Sequence, residues 1–372
     1  LASKTTAQRH FLTPEWDGLP FRYGIIGTGL MGIEHMSNIA HIEGAVVAAY
    51  ADPDPGSRAA AASIAPDARA FTNHHDLVEA GVCEGVVIAT PNFTHADLLT
   101  DLLPTDLHIL VEKPLCTTVD DCRRVLAAAD GRSAVTWVGL EYRYMPPVAR
   151  LIKEVKTGTV GALKMVAIRE HRFPFLPKVA NWNRFNRNTG GTLVEKACHF
   201  FDLMNHIIAD TPTRVMASGS HAVNHLDESY DGEVPDILDN AYVIVEYDRS
   251  GTRAMLDLCM FAEATLNQEE VVAVGDSGKV EALIPEMSVR IGRRGRHAIG
   301  QVEIHRVDDS HIPYRGYHHG SSYLEHLDFI AACRGGGAAQ VGIEDGLLSV
   351  AMGVAAQRSI EGHRPVELSE VL

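Results

Sequence analysis

The sequence predicts an α/β domain built on a doubly wound parallel sheet, followed by an α+β domain with an open, mostly antiparallel sheet. Three observations carry that prediction. Short apolar runs alternate with helical segments through the first 145 residues, and a glycine cluster, Gly27, Gly29 and Gly32, marks the first strand–helix junction. From about residue 160 the apolar runs lengthen and alternate with period two. A chain of 372 residues is also too long for one ordinary core, so two domains are the default expectation. The boundaries read as an N-terminal arm over 1–20, a dinucleotide-binding domain over 21–145, and a substrate-binding and oligomerisation domain over 146–372.

The stretch RYGIIGTGLMG is a strand running into G-x-G-x-x-G, with Thr28, Leu30 and Met31 between and beside the glycines. A helical segment follows, then the strand AVVAAYAD ending in Asp52, 20 positions beyond Gly32. That context reads as a dinucleotide site of the Rossmann type. Gly27 permits the turn, Gly29 admits a pyrophosphate to the backbone, and Gly32 lets the helix pack on the strand. An acid at Asp52 hydrogen-bonds a free ribose 2′-hydroxyl and repels a 2′-phosphate, so NAD is expected over NADP. Arg58, six residues on, works against that preference.

Three more apolar strands follow: GVVIATP (85–91), HILVEKP (108–114) and AVTWVGLEYR (134–143). Such strands belong in a parallel sheet covered on both faces, with ligands at the strands' carboxyl ends. Those ends carry Thr90, Pro91, Asn92 and His95, then Glu112 and Lys113, then Arg143.

In the second half, ALKMVAIREHRF, TRVMASGS, DNAYVIVEYD, TRAMLDLCMF and EEVVAVGDSG read as strands, with one helix over 192–208 and two closing helices. GRRGRHAIG, the one basic cluster, reads as a solvated turn. On the helix, LVEKACHFFDL places Glu195 four residues and Lys196 three residues before His199, so both neighbour the imidazole.

The net charge of −15, with 46% hydrophobic and 22% charged residues, argues against a nucleic-acid surface and suits small-molecule ligands. The six cysteines form no C-x-x-C pair, and paired His318 and His319 lack a metal-binding spacing, so neither a disulfide framework nor a metal is expected. The chain shows no secretory or membrane-spanning run, so a cytoplasmic protein without membrane partners is expected.

The glycine fingerprint, ATPNFTH, VEKP, GLEYRY and GGTLVEKACHFFDL, in this order, resemble the Gfo/Idh/MocA family of nicotinamide-dependent oxidoreductases over about residues 21–370. The resemblance implies a sugar or cyclitol substrate between the two domains and a homodimer or homotetramer joined through sheet faces. It makes Lys113 the catalytic lysine and maps the family's G-G-G-x-L-x-D-x-G-x-H onto Thr189 to His199. Glu195 replaces the aspartate, Ala197 a glycine, and Thr189 the first glycine, while His199 is retained. Lys113, His199 and Glu195 are the expected catalytic residues. Arg143, His171, Arg172, Trp182, Arg184 and Lys196 are further expected substrate contacts. Phe173 stands where inositol dehydrogenases often carry an asparagine, which argues against myo-inositol. Two alternatives stand beside a dehydrogenase: an NAD-dependent glycosidase working by transient oxidation and elimination, and a non-catalytic NAD-binding regulator. Retention of Lys113 and His199 argues against the regulator.

Overall fold

The structure, a computed structural model, describes residues 18–307, 309–335 and 337–372. The expected arm over 1–20 lies outside the described residues except for its last three positions. In the first half, β1 (Phe21–Ile26), α1 (Leu30–Ile39), β2 (Ala45–Ala51), α2 (Pro55–Ile64), β3 (Arg69–Phe71), α3 (His74–Glu79), β4 (Gly85–Ile88), α4 (His95–Leu102), β5 (His108–Glu112), α5 (Val119–Ala128) and β6 (Thr136–Gly139) alternate. The six strands form one parallel sheet of order β3-β2-β1-β4-β5-β6. The order reverses between β1 and its neighbours β2 and β4, which opens the crevice where dinucleotides bind. Local signals start the helices: the side chains of Asp54, Asn73 and Thr118 accept backbone N–H bonds at the starts of α2, α3 and α5.

The expected strand over 134–143 ends at Gly139. A tight 3₁₀ turn, Glu141–Tyr144, takes over and leads into α6 (Pro146–Lys156). Then come β7 (Leu163–His171), α7 (Asn186–Thr189), α8 (Thr192–Glu195), α9 (Cys198–Ile208), β8 (Arg214–Ser220), β9 (Asn240–Tyr247), β10 (Thr252–Cys259), β11 (Glu269–Gly275), β12 (Gly278–Ile284), β13 (Ser288–Arg293) and β14 (Val302–Arg306). α10 (Ser321–Gly335), α11 (Ile343–Gly362) and β15 (Val366–Glu367) close the chain. Nine strands make an open sheet in which only β7 and β10 run parallel. The basic cluster lies between β13 and β14, as a turn.

Two features position the site. The expected helix over 192–208 is broken. The Ala197 amide bonds back to the Thr192 carbonyl (3.3 Å) instead of advancing one residue, so α8 stops at Glu195 and α9 restarts at Cys198. Glu195 and His199 therefore flank a break rather than sharing one uninterrupted ladder. The entry is equally specific: Gly190 (φ 81°) and Gly191 (φ 90°) take conformations that L side chains avoid.

The second feature is the return of the C-terminal helices to the six-stranded sheet. The Val138 amide donates to the Val341 carbonyl (3.0 Å), the Trp137 indole donates to Glu325 of α10 (3.0 Å), and α10 packs on α1. Phe329 of α10 closes an aromatic cluster with Phe21, Tyr23 and Trp137, at ring centroid distances of 6.0–6.2 Å. The parallel sheet is thus covered on the α1 face by α10, a helix that comes after the open sheet in sequence.

Candidate active site

A cleft of about 640 Å³ lies outside the carboxyl ends of the parallel strands. Gly27, Gly29, Leu30, Met31 and Asp52 line it from β1, α1 and β2; Thr90, Pro91, Asn92, Glu112 and Lys113 line it from the ends of β4 and β5. The glycines divide the work as the spacing predicts. A Cβ on Gly27 would stand 2.7 Å from the Ala89 carbonyl oxygen, and one on Gly32 only 2.0 Å from that of Gly27. A Cβ on Gly29 would meet nothing within 4 Å, because that residue faces open cleft. The Thr28 hydroxyl and the Asn92 amide nitrogen are buried without a partner, as expected of groups that await a ligand.

Asp52 accepts the Thr28 amide at 2.7 Å and the Asp54 amide at 2.8 Å, one on each carboxylate oxygen. Each oxygen keeps a lone pair for a ribose hydroxyl. Arg58 does not line the cleft: its Nη1 donates to the carbonyls of Asp52 (2.6 Å) and Pro53 (2.8 Å). His95 is fully buried, with its ring nitrogens against the carbonyls of Pro114 (2.9 Å) and Thr90 (3.2 Å). It fixes two cleft loops rather than touching a ligand, and burial lowers its pKa.

Lys113 leaves the end of β5 and its ammonium donates to the Glu195 carbonyl at 3.3 Å, at the break between α8 and α9. Burial works to discharge it. The Cys198 sulfur and the carboxylates of Glu112 and Glu195 more than offset this and raise its pKa. His199 is buried, its ring stacked on Tyr142 at 4.0 Å with planes 10° apart. Desolvation, then the charges of Lys113 and Lys196, hold its pKa well below the ordinary value, so the imidazole is neutral. Its Nδ1 faces Glu141 Oε2 at 3.8 Å, too far for a hydrogen bond, and His318 Nδ1 faces Oε1 of the same carboxylate at 3.4 Å. Burial and the nearby Glu112 push Glu141 up to about 8.

Lys196, without a role in the sequence pattern, pairs with Glu170 at 2.9 Å and donates to the Tyr142 hydroxyl at 2.6 Å. Glu170 of β7 stands directly opposite Glu269 of β11, and burial, then repulsion from Glu170, pushes Glu269 up to about 7. Across this cluster Glu170 Oε2, Glu195 Oε2, Glu269 Oε2 and the Nδ1 atoms of His199 and His318 are buried without a partner.

Other expected contacts lie elsewhere. Arg143 is turned away from the cleft into an ion pair with Asp202 (Nε–Oδ2 2.7 Å) and Asp345 (3.0 Å), and its Nη1 donates to the Gln340 carbonyl. The cause is the 3₁₀ turn, in which each residue rotates about a third of a turn, so Glu141 rather than Arg143 faces the histidines. His171 pairs with Asp257 on the opposite face of the open sheet from Glu170, as strand alternation requires. Arg184 is buried against Glu228 (2.9 Å). Arg172 stays on the site's face, 3.3 Å from Glu170, and Trp182 lines the cleft with Lys178 over its ring at 4.6 Å. The sequence reading passed over Glu141, Tyr142, Glu269 and Lys178, while Glu170 was one of two partners it offered Lys196. The signal for the first two was their place directly after a parallel strand's carboxyl end. Glu269 gave no signal, since its pairing with Glu170 is cross-strand. Among the described residues, the one group of three side chains close enough to share a cation is His74, His75 and Asp101, and it includes none of the expected catalytic residues.

The family profile described as an oxidoreductase NAD-binding Rossmann fold matches residues 21–140, and that described as an oxidoreductase C-terminal alpha/beta domain matches residues 152–368. The chain is 26% identical over 358 residues to the myo-inositol 2-dehydrogenase of Thermotoga maritima, covering 94% of this chain and 99% of that protein. It is 30% identical over 200 residues to the rhizopine catabolism protein MocA of Rhizobium meliloti, covering 54% and 61% of the two chains. Among solved structures, levoglucosan dehydrogenase in complex with NADH and levoglucosan superposes with a TM-score of 0.82 at 20% identity, over 94% of this chain and 99% of that one.

The glycine geometry gives a test that separates folding from binding. Gly29→Ala is expected to keep the wild-type melting temperature while weakening NAD at least about tenfold, a change of roughly 1.4 kcal/mol. Gly32→Ala is expected to lower the melting temperature itself, since its Cβ would collide with backbone. Calorimetric titration with NAD beside thermal melts checks both; unchanged affinity in Gly29→Ala would remove the phosphate path from this turn.

Proposed function

The chain belongs to the Gfo/Idh/MocA family of oxidoreductases and carries the family's NAD-binding domain, and from that premise we propose that it is a dehydrogenase oxidising a secondary alcohol of a neutral sugar, sugar derivative or cyclitol. The observation that carries the reading is Lys113, which lines the nucleotide cleft and at the same time contacts the segment that holds Glu195 and His199. NAD, when bound, supplies the acceptor for the hydride of the carbinol carbon. The glycine cradle, the unpartnered Thr28 and Asn92 groups and the Asp52 carboxylate fit such a molecule.

The side chains do the rest. Neutral His199 takes the hydroxyl proton as hydride leaves, and the Lys113 ammonium stabilises the negative charge that develops on that oxygen. Glu195, with one carboxylate oxygen free, accepts a further hydroxyl and orients the ring. The unpartnered atoms also favour a substrate class. Three are carboxylate oxygens, which need donors, whereas Lys196 and Arg172 are already engaged by Glu170. A polyol supplies hydroxyl donors; a sugar acid or phosphate would set further acceptors against these oxygens. Phe173, exposed beneath the Arg172 guanidinium at 4.4 Å, favours a polyol other than myo-inositol.

A polyol panel followed by NADH absorbance identifies the substrate, and net accumulation of NADH separates a dehydrogenase from a glycosidase that returns the hydride. With the best substrate, Lys113→Ala and His199→Ala are each expected to lower kcat at least about a hundredfold. Their combination is expected to be little worse than the poorer single variant, since both act on one oxygen. Near wild-type hydride transfer in His199→Ala would exclude it as the base.

The pH dependence follows from the sign of the shift. A folded-state histidine pKa held below the ordinary ~6.5 means that the base-competent neutral form persists through neutrality and is lost only on further acidification. The acidic limb of kcat is therefore expected below that value. A limb near the value of Glu141, about 8, would transfer the base role to that carboxylate.

The same reading extends to assembly. The face of the open sheet away from the site exposes Met165, Tyr242, Ile244 and Met255, with Ile244 directly opposite Met255. Exposed apolar side chains so arranged fit a homodimer or homotetramer joined through this face. Ile244→Glu combined with Met255→Glu is expected to yield a smaller species in sedimentation velocity than wild type; an unchanged sedimentation coefficient would place the interface elsewhere.

A further inference from the structure

Behind the cleft runs a continuous line of buried polar side chains that the reaction outlined above does not use. The Tyr23 hydroxyl of β1 lies 3.1 Å from His326 Nδ1 of α10, and His326 Nε2 lies 2.9 Å from His35 Nδ1 of α1. His35 Nε2 lies 3.0 Å from Glu112 Oε1, and Glu112 Oε2 accepts the backbone amide of Lys113 at 3.1 Å. Each of the four residues is at most 5% exposed, so their polar atoms depend mainly on one another.

The protons on this line have two possible directions, and burial selects one. If Tyr23 donates to His326, then His326 Nε2–H donates to His35 and His35 Nε2–H donates to Glu112. Every polar hydrogen then has an acceptor, both imidazoles are neutral, and the one charge sits on Glu112. In the reverse direction His35 is doubly protonated and His326 Nδ1–H donates to the Tyr23 oxygen. The tyrosine hydroxyl hydrogen is then left in the core without an acceptor, which costs the full desolvation penalty of that group. The first arrangement is the satisfied one.

We infer that His326 is a positioning residue for Lys113, acting through the one-way chain Tyr23–His326–His35–Glu112. Its Nε2–H fills His35 Nδ1, which forces the remaining imidazole proton onto Nε2, where it meets the Glu112 carboxylate. Without that lock His35 is free to carry its proton on Nδ1, and Glu112 then faces a lone pair instead of a donor. A buried carboxylate that loses its donor tends to neutralise, and Lys113 then loses a neighbouring negative charge. Burial acts to raise the pKa of Glu112, but the hydrogen bond from His35 and the Lys113 ammonium outweigh it and hold the carboxyl below its ordinary value. The groups that face Glu112 are His35 from α1, Lys113 beside it, His95 from α4, Glu141 after β6, Lys178 ahead of α7, His318 ahead of α10, and Glu325 with His326 on α10. Only His35 among them is hydrogen-bonded through its side chain to the carboxylate.

The assignment deepens the dehydrogenase reading and rests on it only for the link to turnover. One readout is independent of turnover: competitive acetylation of Lys113 with acetic anhydride over a pH series, followed by peptide mass spectrometry, gives the titration of its ammonium. His326→Leu is expected to lower that apparent pKa by about one pH unit, because a neighbouring anion has been lost. His326→Gln, whose amide nitrogen can replace the Nε2–H donor, is expected to stay near wild type. Tyr23→Phe, nearly isosteric, is expected to shift in the same direction as His326→Leu by less, and serves if His326→Leu does not fold. Phe329→Leu, a packing loss on the same helix, is expected to lower the melting temperature without moving the titration. With the best polyol, kcat should fall at least about tenfold in His326→Leu and recover in His326→Gln, with NAD affinity little changed. An unmoved Lys113 titration in both His326→Leu and Tyr23→Phe overturns the inference, as does His326→Gln behaving like His326→Leu. A shifted titration without any polyol turnover in wild type would keep the chain and sink the dehydrogenase reading.

Discussion

Two glutamates on adjacent strands, Glu170 and Glu269, point from the open sheet into the core directly opposite each other, an arrangement that repels unless a cation intervenes. Lys196 supplies it. Its ammonium sits 2.9 Å from Glu170 and 2.6 Å from the Tyr142 hydroxyl, so one buried charge binds the open sheet, the helix break and the turn after β6 together. Tyr142 in turn stacks on His199 and limits the orientation of the imidazole. Removing one member of such a buried pair typically costs roughly 3–5 kcal/mol, because the other charge is stranded. The orientation of His199 therefore depends on an ion pair whose members do not line the nucleotide cleft.

The break between α8 and α9 is the second consequence of that packing. A continuous helix would keep the Glu195 carbonyl inside its own ladder; the slip at Ala197 lets that carbonyl receive the Lys113 ammonium. α11 fixes the slip from behind, approaching so closely that a Cβ on Gly353 would stand 2.4 Å from the Leu193 carbonyl oxygen. Irregular helix geometry of this kind recurs where side chains must be aimed rather than merely buried.

Desolvation then sorts the ionisable groups by partner. Glu112, held by a donor, stays ionised; Glu141, without one, is pushed up to about 8; His199, among cations, stays neutral. Two carboxyls at one site, Glu112 and Glu141, thus take different protonation states at neutral pH from environment alone.

The sequence by itself determined the elements whose cause is local or periodic. The glycine turn, Asp52 at the end of β2, the parallel sheet and the place of Lys113 at the edge of the cleft were legible because each follows from backbone sterics or strand ends. The tertiary structure decided what depends on which faces meet. It turned Arg143 into an ion pair with Asp202 by inserting a 3₁₀ turn after Gly139, and it sent His171 to the far side of the sheet by strand alternation. It also chose Glu170 over Glu195 as the partner of Lys196 and set His326 behind Glu112 from a distant part of the chain. Burial and pairing of this kind are set by contacts distant in sequence, and no spacing in the chain encodes them.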